Sequence, residues 1–164
     1  MAKLSGIPFE KILFLNFLYE FTTVNACTGI VLRNSDGKIV HGRNWDFEMY
    51  ELLGSMVAKV EYYKGETKLF TEDTVAGSVF SITGIRHGDF AIGVNARHPK
   101  GFTGTLVSVL VENNIPALWL VRKTFLECQN YDEATKRLRE TKISCPIYFI
   151  ISGTKDNEGM VIER

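Results

Sequence analysis

Four short turn signals sit between runs of strand-like alternation, and they commit most of this chain to antiparallel hairpins. Asn34-Ser35-Asp36-Gly37 separates Cys27–Arg33 from Lys38–Asn44, and Asp-Gly between such runs is a strong short-range hairpin signal. Lys64-Gly65-Glu66 separates Met56–Tyr63 from Thr67–Thr71, and Ile85-Arg86-His87-Gly88-Asp89 separates Ser78–Gly84 from Phe90–Asn95. A last turn around Asp156-Asn157-Glu158-Gly159 joins Ile147–Ser152 to Met160–Glu163. Helical spacing takes over between the third and fourth hairpins, over roughly Leu106–Asn113, Pro116–Gln129 and Asp132–Glu140, with Asp132 placed as an N-cap. Strands, then helices, then a returning hairpin predict an α+β layered domain.

A further helix is expected over 9–21, with Pro8 suited to its first turn. Only Glu10, Lys11, Asn16 and Glu20 interrupt its apolar residues. Such a helix is either buried or pressed against a membrane surface, and the sparse charge favours core packing. It is too short to span a bilayer.

The chain has 164 residues, enough for one domain with a sizeable core. Lys+Arg and Asp+Glu both number 19, so no charge excess points to nucleic acid. Cys27, Cys128 and Cys145 are too few and too scattered for a disulfide framework or a zinc site, although one pair could bridge. No Asn-x-Ser/Thr acceptor occurs. The first residues lack the charged and apolar regions of a signal peptide, so any secretory signal is expected outside this chain.

Two segments carry chemistry. Cys27-Thr28-Gly29-Ile30-Val31 is followed, on the next expected strand, by His41-Gly42-Arg43-Asn44-Trp45-Asp46-Phe47. The hairpin returns a guanidinium and a carboxylate to the end that holds the thiol. A cysteine acts as a nucleophile only as thiolate, which a nearby cation and a positioned base supply. The same residues admit a plainer reading, with Cys27 a small buried hydrophobe and Arg43–Asp46 a structural ion pair.

These segments, with Asp36-Gly37, resemble the start of the catalytic chain in the acid ceramidase and N-acylethanolamine acid amidase family. These are N-terminal-nucleophile cysteine hydrolases, related to bile salt hydrolase and penicillin V acylase. The resemblance extends upstream through Gly6-Ile7-Pro8-Phe9-Glu10-Lys11-Ile12, Asn16 and Tyr19-Glu20. Downstream it takes in Gly93-Val94-Asn95-Ala96-Arg97, the block from Arg122 to Ile143, Pro146–Ile150 and Glu158–Ile162.

The resemblance implies an αββα sandwich. Residues 1–26 would be the end of a pro-segment and residues 27–164 the first part of the catalytic domain, with the sheet unfinished at Arg164. It implies autocatalytic cleavage between Ala26 and Cys27 of a zymogen, and then hydrolysis of ceramide to sphingosine and fatty acid in the lysosome. The alternatives are an N-acylethanolamine amidase or a catalytically silent, truncated relative. The implied catalytic residues are Cys27, Arg43, Asp46 and Asn95. Cys27 is the nucleophile, Arg43 holds the thiolate, Asp46 fixes the new α-amino group, and Asn95 helps form the oxyanion hole. Thr28 would help position the new N-terminus, and Trp45 and Phe47 are candidates for an acyl pocket. No cofactor or metal is implied; the partners are a lipid substrate and the cleaved N-terminal segment. His41 and His87 read as packing and turn residues, and Cys128 and Cys145 as core. The chain departs from the family at Ala96, which replaces a glutamate, and at Ala26, where close relatives often carry a bulkier residue. A second active-site asparagine and an arginine of the family are expected beyond Arg164.

Overall fold

The structure is a computed structural model that describes residues 2–21, 26–46, 50–97 and 101–164. In chain order its elements are α1 (Ala2–Ser5), α2 (Phe9–Phe21), β1 (Ala26–Arg33), β2 (Ile39–Asp46), α3 (Tyr50–Gly54), β3 (Val57–Lys64), β4 (Thr67–Val75), β5 (Thr83–Arg86) and β6 (Phe90–Ala96). They continue with α4 (Gly101–Leu110), α5 (Ala117–Glu127), α6 (Tyr131–Glu140), β7 (Ile147–Ser152) and β8 (Gly159–Glu163). Strands β3 to β8 form an antiparallel sheet in sequential order, and β1 and β2 form a separate antiparallel pair. The α+β expectation holds.

The β1–β2 turn forms as its residues predict. Gly37 takes φ 79°, in the left-handed region, and the Asn34 side-chain oxygen accepts from the amides of Asp36 and Lys38 at 3.1 and 2.8 Å. The pair lies across β6, β7 and β8. At Gly29 a Cβ would stand 3.1 Å from Ile150 Cγ1, so the small residue lets the two β layers meet closely.

Helices α5 and α6 cover the other face. Phe125 stacks on Phe70 and Phe90 with centroids 5.0 and 5.7 Å apart, and Tyr62 stacks on Phe70 at 4.3 Å. Leu118, Leu120, Val121, Leu138, Phe149 and Ile151 belong to the same buried core. Gly84 of β5 lies under this packing, where a Cβ would meet Thr71 O at 2.8 Å and Phe125 Cε2 at 3.2 Å. Gly84→Ala is therefore expected to destabilise the fold by about 1–3 kcal/mol through overpacking. An unchanged urea midpoint would show that β4 gives way freely there.

Four local expectations change. The helix expected over Leu106–Asn113 runs instead from Gly101 to Leu110. Helix α6 begins before Asp132, and its N-cap is Asn130, whose side chain accepts from Glu133 N at 2.9 Å. The strand expected over Ser78–Gly84 reduces to Thr83–Arg86. Val79 N bonds instead to Asn16 Oδ1 at 2.7 Å and Ser81 N to Leu118 O at 3.4 Å, so this segment pairs with helices. Helix α2, expected in the core, exposes Phe9 and Phe14 on its first turns, by 66% and 52%. Among its described side chains, Phe17, edge-on to Phe80 at 5.5 Å, and the polar Asn16, which is buried and bridges to Gly77 and Val79, turn inward. An apolar helix without a polar face gives no sequence signal for which side turns inward.

The last strand is also tied down. Arg164 exchanges backbone hydrogen bonds with Ile147, and its guanidinium donates to the carbonyls of Leu138, Arg139 and Thr141. Carbonyls left unpaired at the end of α6 are satisfied in this way. No helix among the described residues is long and apolar enough to cross a membrane.

Candidate active site

Cys27 is the second residue of β1 and pairs with Trp45 of β2. Along β2 partial burial alternates with exposure, which puts His41, Arg43 and Trp45 on the inner face and Gly42, Asn44 and Asp46 on the outer. On β1, Cys27 and Gly29 are half-buried, whereas Thr28 is exposed.

Three expected site residues meet. Arg43 Nη2 donates to Cys27 Sγ at 3.6 Å and Nη1 to Asn95 Oδ1 at 3.1 Å. Asn95 Nδ2 donates to the Cys27 backbone carbonyl at 3.0 Å. The amide of Asn95 thus locks both the main chain of the cysteine and the cation that faces its sulfur. A primary amide has a second N–H, which remains for a further acceptor.

Asp46 is not part of this contact. It lies on the outer, exposed face, opposite Ala26 in the strand register. Phe47 falls outside the described residues. Trp45 lines a cavity of about 760 Å³ between β2 and the sheet, together with His41, Arg43, Ile82, Ile92 and Ser152. Arg43 reaches from that cavity to the sulfur.

The remaining candidates sit elsewhere. Cys128 and Cys145 are buried, and burial pushes the Cys128 thiol pKa up. His87 meets Thr71 Oγ1 at 2.9 Å. Arg97, next to Ala96, pairs with Glu163 at 2.7 Å and donates to Arg164 O, tying β6 to β8. His41 does more than pack, since its Nδ1 is 2.9 Å from Ser152 Oγ. Burial, and then the neighbouring Arg43 charge, lower its pKa.

One polar cluster left no trace in the sequence reading. Glu72 of β4 and Arg122 of α5 form a buried ion pair at 2.6 Å, joined by Tyr62 OH at 2.8 Å and Ser81 Oγ at 2.8 Å. The Arg122 guanidinium also lies over the Tyr62 ring at 4.3 Å. A charged residue in each of two amphipathic elements reads as surface until the elements are docked.

A cysteine sulfur faced by a guanidinium is an arrangement that can support thiolate nucleophile chemistry. The chain belongs to the linear amide C–N hydrolases of the choloylglycine hydrolase family, whose model matches residues 27–164. It is 31% identical over 172 residues to the N-acylethanolamine-hydrolyzing acid amidase of Caenorhabditis elegans, covering 100% of this chain and 48% of the relative. It is 31% identical over 180 residues to the acid ceramidase of Homo sapiens, covering 100% of this chain and 45% of the relative. A solved structure of the Caenorhabditis elegans N-acylethanolamine-hydrolyzing acid amidase ortholog superposes with a TM-score of 0.75 at 31% identity, over 85% of this chain and 59% of the other. The chain thus spans just under half the length of these curated relatives.

Proposed function

We propose that the protein is the precursor of an N-acyl lipid amidase that cuts itself between Ala26 and Cys27 and then hydrolyses the amide bond of ceramide. The observation that carries this reading is the closed set of contacts among Cys27, Arg43 and Asn95. On this reading residues 1–26 are the end of a pro-segment and residues 27–164, the stretch that the family model matches, are the first part of the catalytic domain.

In the first reaction Cys27 Sγ attacks the Ala26 carbonyl carbon. The Ala26–Cys27 C–N bond breaks, the nitrogen takes a proton, and the acyl group passes to sulfur as a thioester. Water then cleaves the thioester, freeing the thiol and leaving a carboxylate on Ala26. The new α-amine, with an ordinary pKa of about 7.7–8.0, is the base for the second reaction. It takes the thiol proton as sulfur attacks the lipid amide and gives it to the departing amine. Water releases the fatty acid from the acyl-thioester.

Each residue has a place in this scheme. Arg43 is the cation opposite the thiolate. Asn95 holds the Cys27 main chain and offers its second N–H to the oxyanion. Asp46, across the register from Ala26, stands beside the bond to be cut and would accept from the α-amine. The cavity beside Trp45, with Ile82 and Ile92, suits an acyl chain. The pairing of hairpin and sheet, with helices outside, fits an αββα sandwich in the whole protein, and an acidic, lysosomal site of action belongs to the same reading.

Ceramide is preferred because the segment from Tyr131 to Ile143 resembles acid ceramidase. The likeness to an N-acylethanolamine amidase in both sequence and structure supports the second substrate class. Intact mass after incubation at acid pH, for wild type beside Cys27→Ala, tests the first step. Loss of residues 1–26 is expected in the wild type alone, followed by fatty acid release from ceramide in preference to an N-acylethanolamine. A chain that stays whole under every condition and frees no fatty acid overturns the proposal.

A further inference from the structure

The cation at Cys27 is held in an unusual way. Among the described residues no carboxylate pairs with Arg43; its partners are the neutral Asn95 oxygen and the sulfur, and its buried Nε has no acceptor. Its position therefore depends on packing and on what other charge comes near.

The packing is specific. Arg43 crosses β6 at Gly93, where a Cβ would lie 3.4 Å from Nη1 and 3.5 Å from Cδ of Arg43. The same point lies 3.3 Å from His41 Nε2. One glycine thus seats both side chains, which are neighbours on the inner face of β2. The other ring nitrogen of His41 is anchored by Ser152 of β7.

We propose that His41 is a positioning residue for Cys27: when neutral and tethered to Ser152 it lets the Arg43 guanidinium rest over Gly93 against the sulfur, and when protonated it drives that guanidinium away. The idea rests on the amidase reading above and adds to it the origin of an acid limit. Two adjacent cations in a part-buried site repel more strongly than they would in water.

The surroundings offer His41 little compensation. Across the hairpin it faces Val31, on β6 it faces Gly93, and on β7 it faces Ser152. Beyond β7, Glu158 is engaged by the amides of Thr154 and Lys155. Across the cavity, Asp73 is exposed to solvent, Arg86 is paired with Asp89, and Glu72 is paired with Arg122, with Lys38 at the rim. Burial and Arg43 lower the pKa of His41, so the neutral form persists below the ordinary value of about 6.5.

The test measures alkylation of Cys27 by iodoacetamide on the full chain across the acid-to-neutral range. Mass spectrometry reads cut and uncut chains separately. A lone thiol loses about tenfold in rate per pH unit below its pKa, because the thiolate is the reacting form. Wild type is expected to fall more steeply than this on the acid side, with His41→Gln and His41→Asn reverting towards the single-proton slope. Gly93→Ala is expected to lower the rate about tenfold or more at every pH, by displacing Arg43. Thermal melts identify any variant that fails to fold, and either of the first two then suffices. Identical profiles for wild type and a folded His41→Gln overturn the proposal. Should the wild type show the steep profile yet never cut itself, the amidase reading fails while the positioning role stands; self-cleavage with identical profiles is the reverse case.

Discussion

Asn95→Ala is expected to slow cleavage at Ala26–Cys27 by about 10²–10³-fold, the usual loss when a fixed donor to a developing oxyanion is removed. The expectation follows from the double engagement of one side chain. Asn95 donates to the Cys27 carbonyl and accepts from Arg43, so its truncation loosens the nucleophile and its cation together. Asn95→Asp separates the two roles, since it keeps an acceptor for Arg43 but loses both N–H donors. Equal slowing of the two variants assigns the effect to donation. A fast aspartate variant would show that holding Arg43 is what matters, and a fast alanine variant would remove Asn95 from the chemistry. Rates come from intact mass over time, with circular dichroism to check the fold.

Arg122→Ala is expected to cost about 3–5 kcal/mol of stability, because it strands Glu72 as an unpaired charge in the core. Glu72 is 1% exposed and one of its carboxylate oxygens already lacks a partner, so little solvent is at hand to compensate. The double variant Glu72→Gln with Arg122→Met is expected to recover much of the loss, since it removes both charges while filling the volume. Urea unfolding midpoints of the three proteins settle it. A small loss in the single variant would show that water enters the core when the guanidinium leaves. This ion pair makes none of the contacts that hold Cys27, so residual self-cleavage should track the folded fraction alone.

His41 gives stability its own pH dependence. A histidine whose pKa is lowered in the fold binds fewer protons there than in the unfolded chain. Its contribution is complete above the ordinary value near 6.5 and is lost as pH falls through the folded one. On the positioning role proposed for His41, the same protonation withdraws Arg43, so both losses are expected in one acid window.

The β1–β2 site was legible because its geometry is local. Asp36-Gly37 sets the turn, the turn sets the register, and the period of two then puts Cys27 and Arg43 on one face. The same alternation places Asp46 on the other face, next to Ala26, a consequence the spacing already contained. Asn95 entered through family resemblance alone. Nothing in its neighbourhood in the chain marks it, because its partners come from a different β layer. The exposure of Phe9 and Phe14 on α2 and the burial of Asn16 were equally invisible, since an apolar helix leaves open which side turns inward. Glu72 and Arg122 look like solvent residues until α5 docks.

By itself the sequence determined the hairpins, the helical block and the thiol–guanidinium pair, because turn chemistry and strand period act over a few residues. Only the tertiary structure decided that Asn95 would clasp Cys27, that Gly93 would seat Arg43 beside His41, and that an ion pair would lie in the core. Those contacts depend on how layers stack, and stacking is set by the summed burial of many side chains rather than by any local signal.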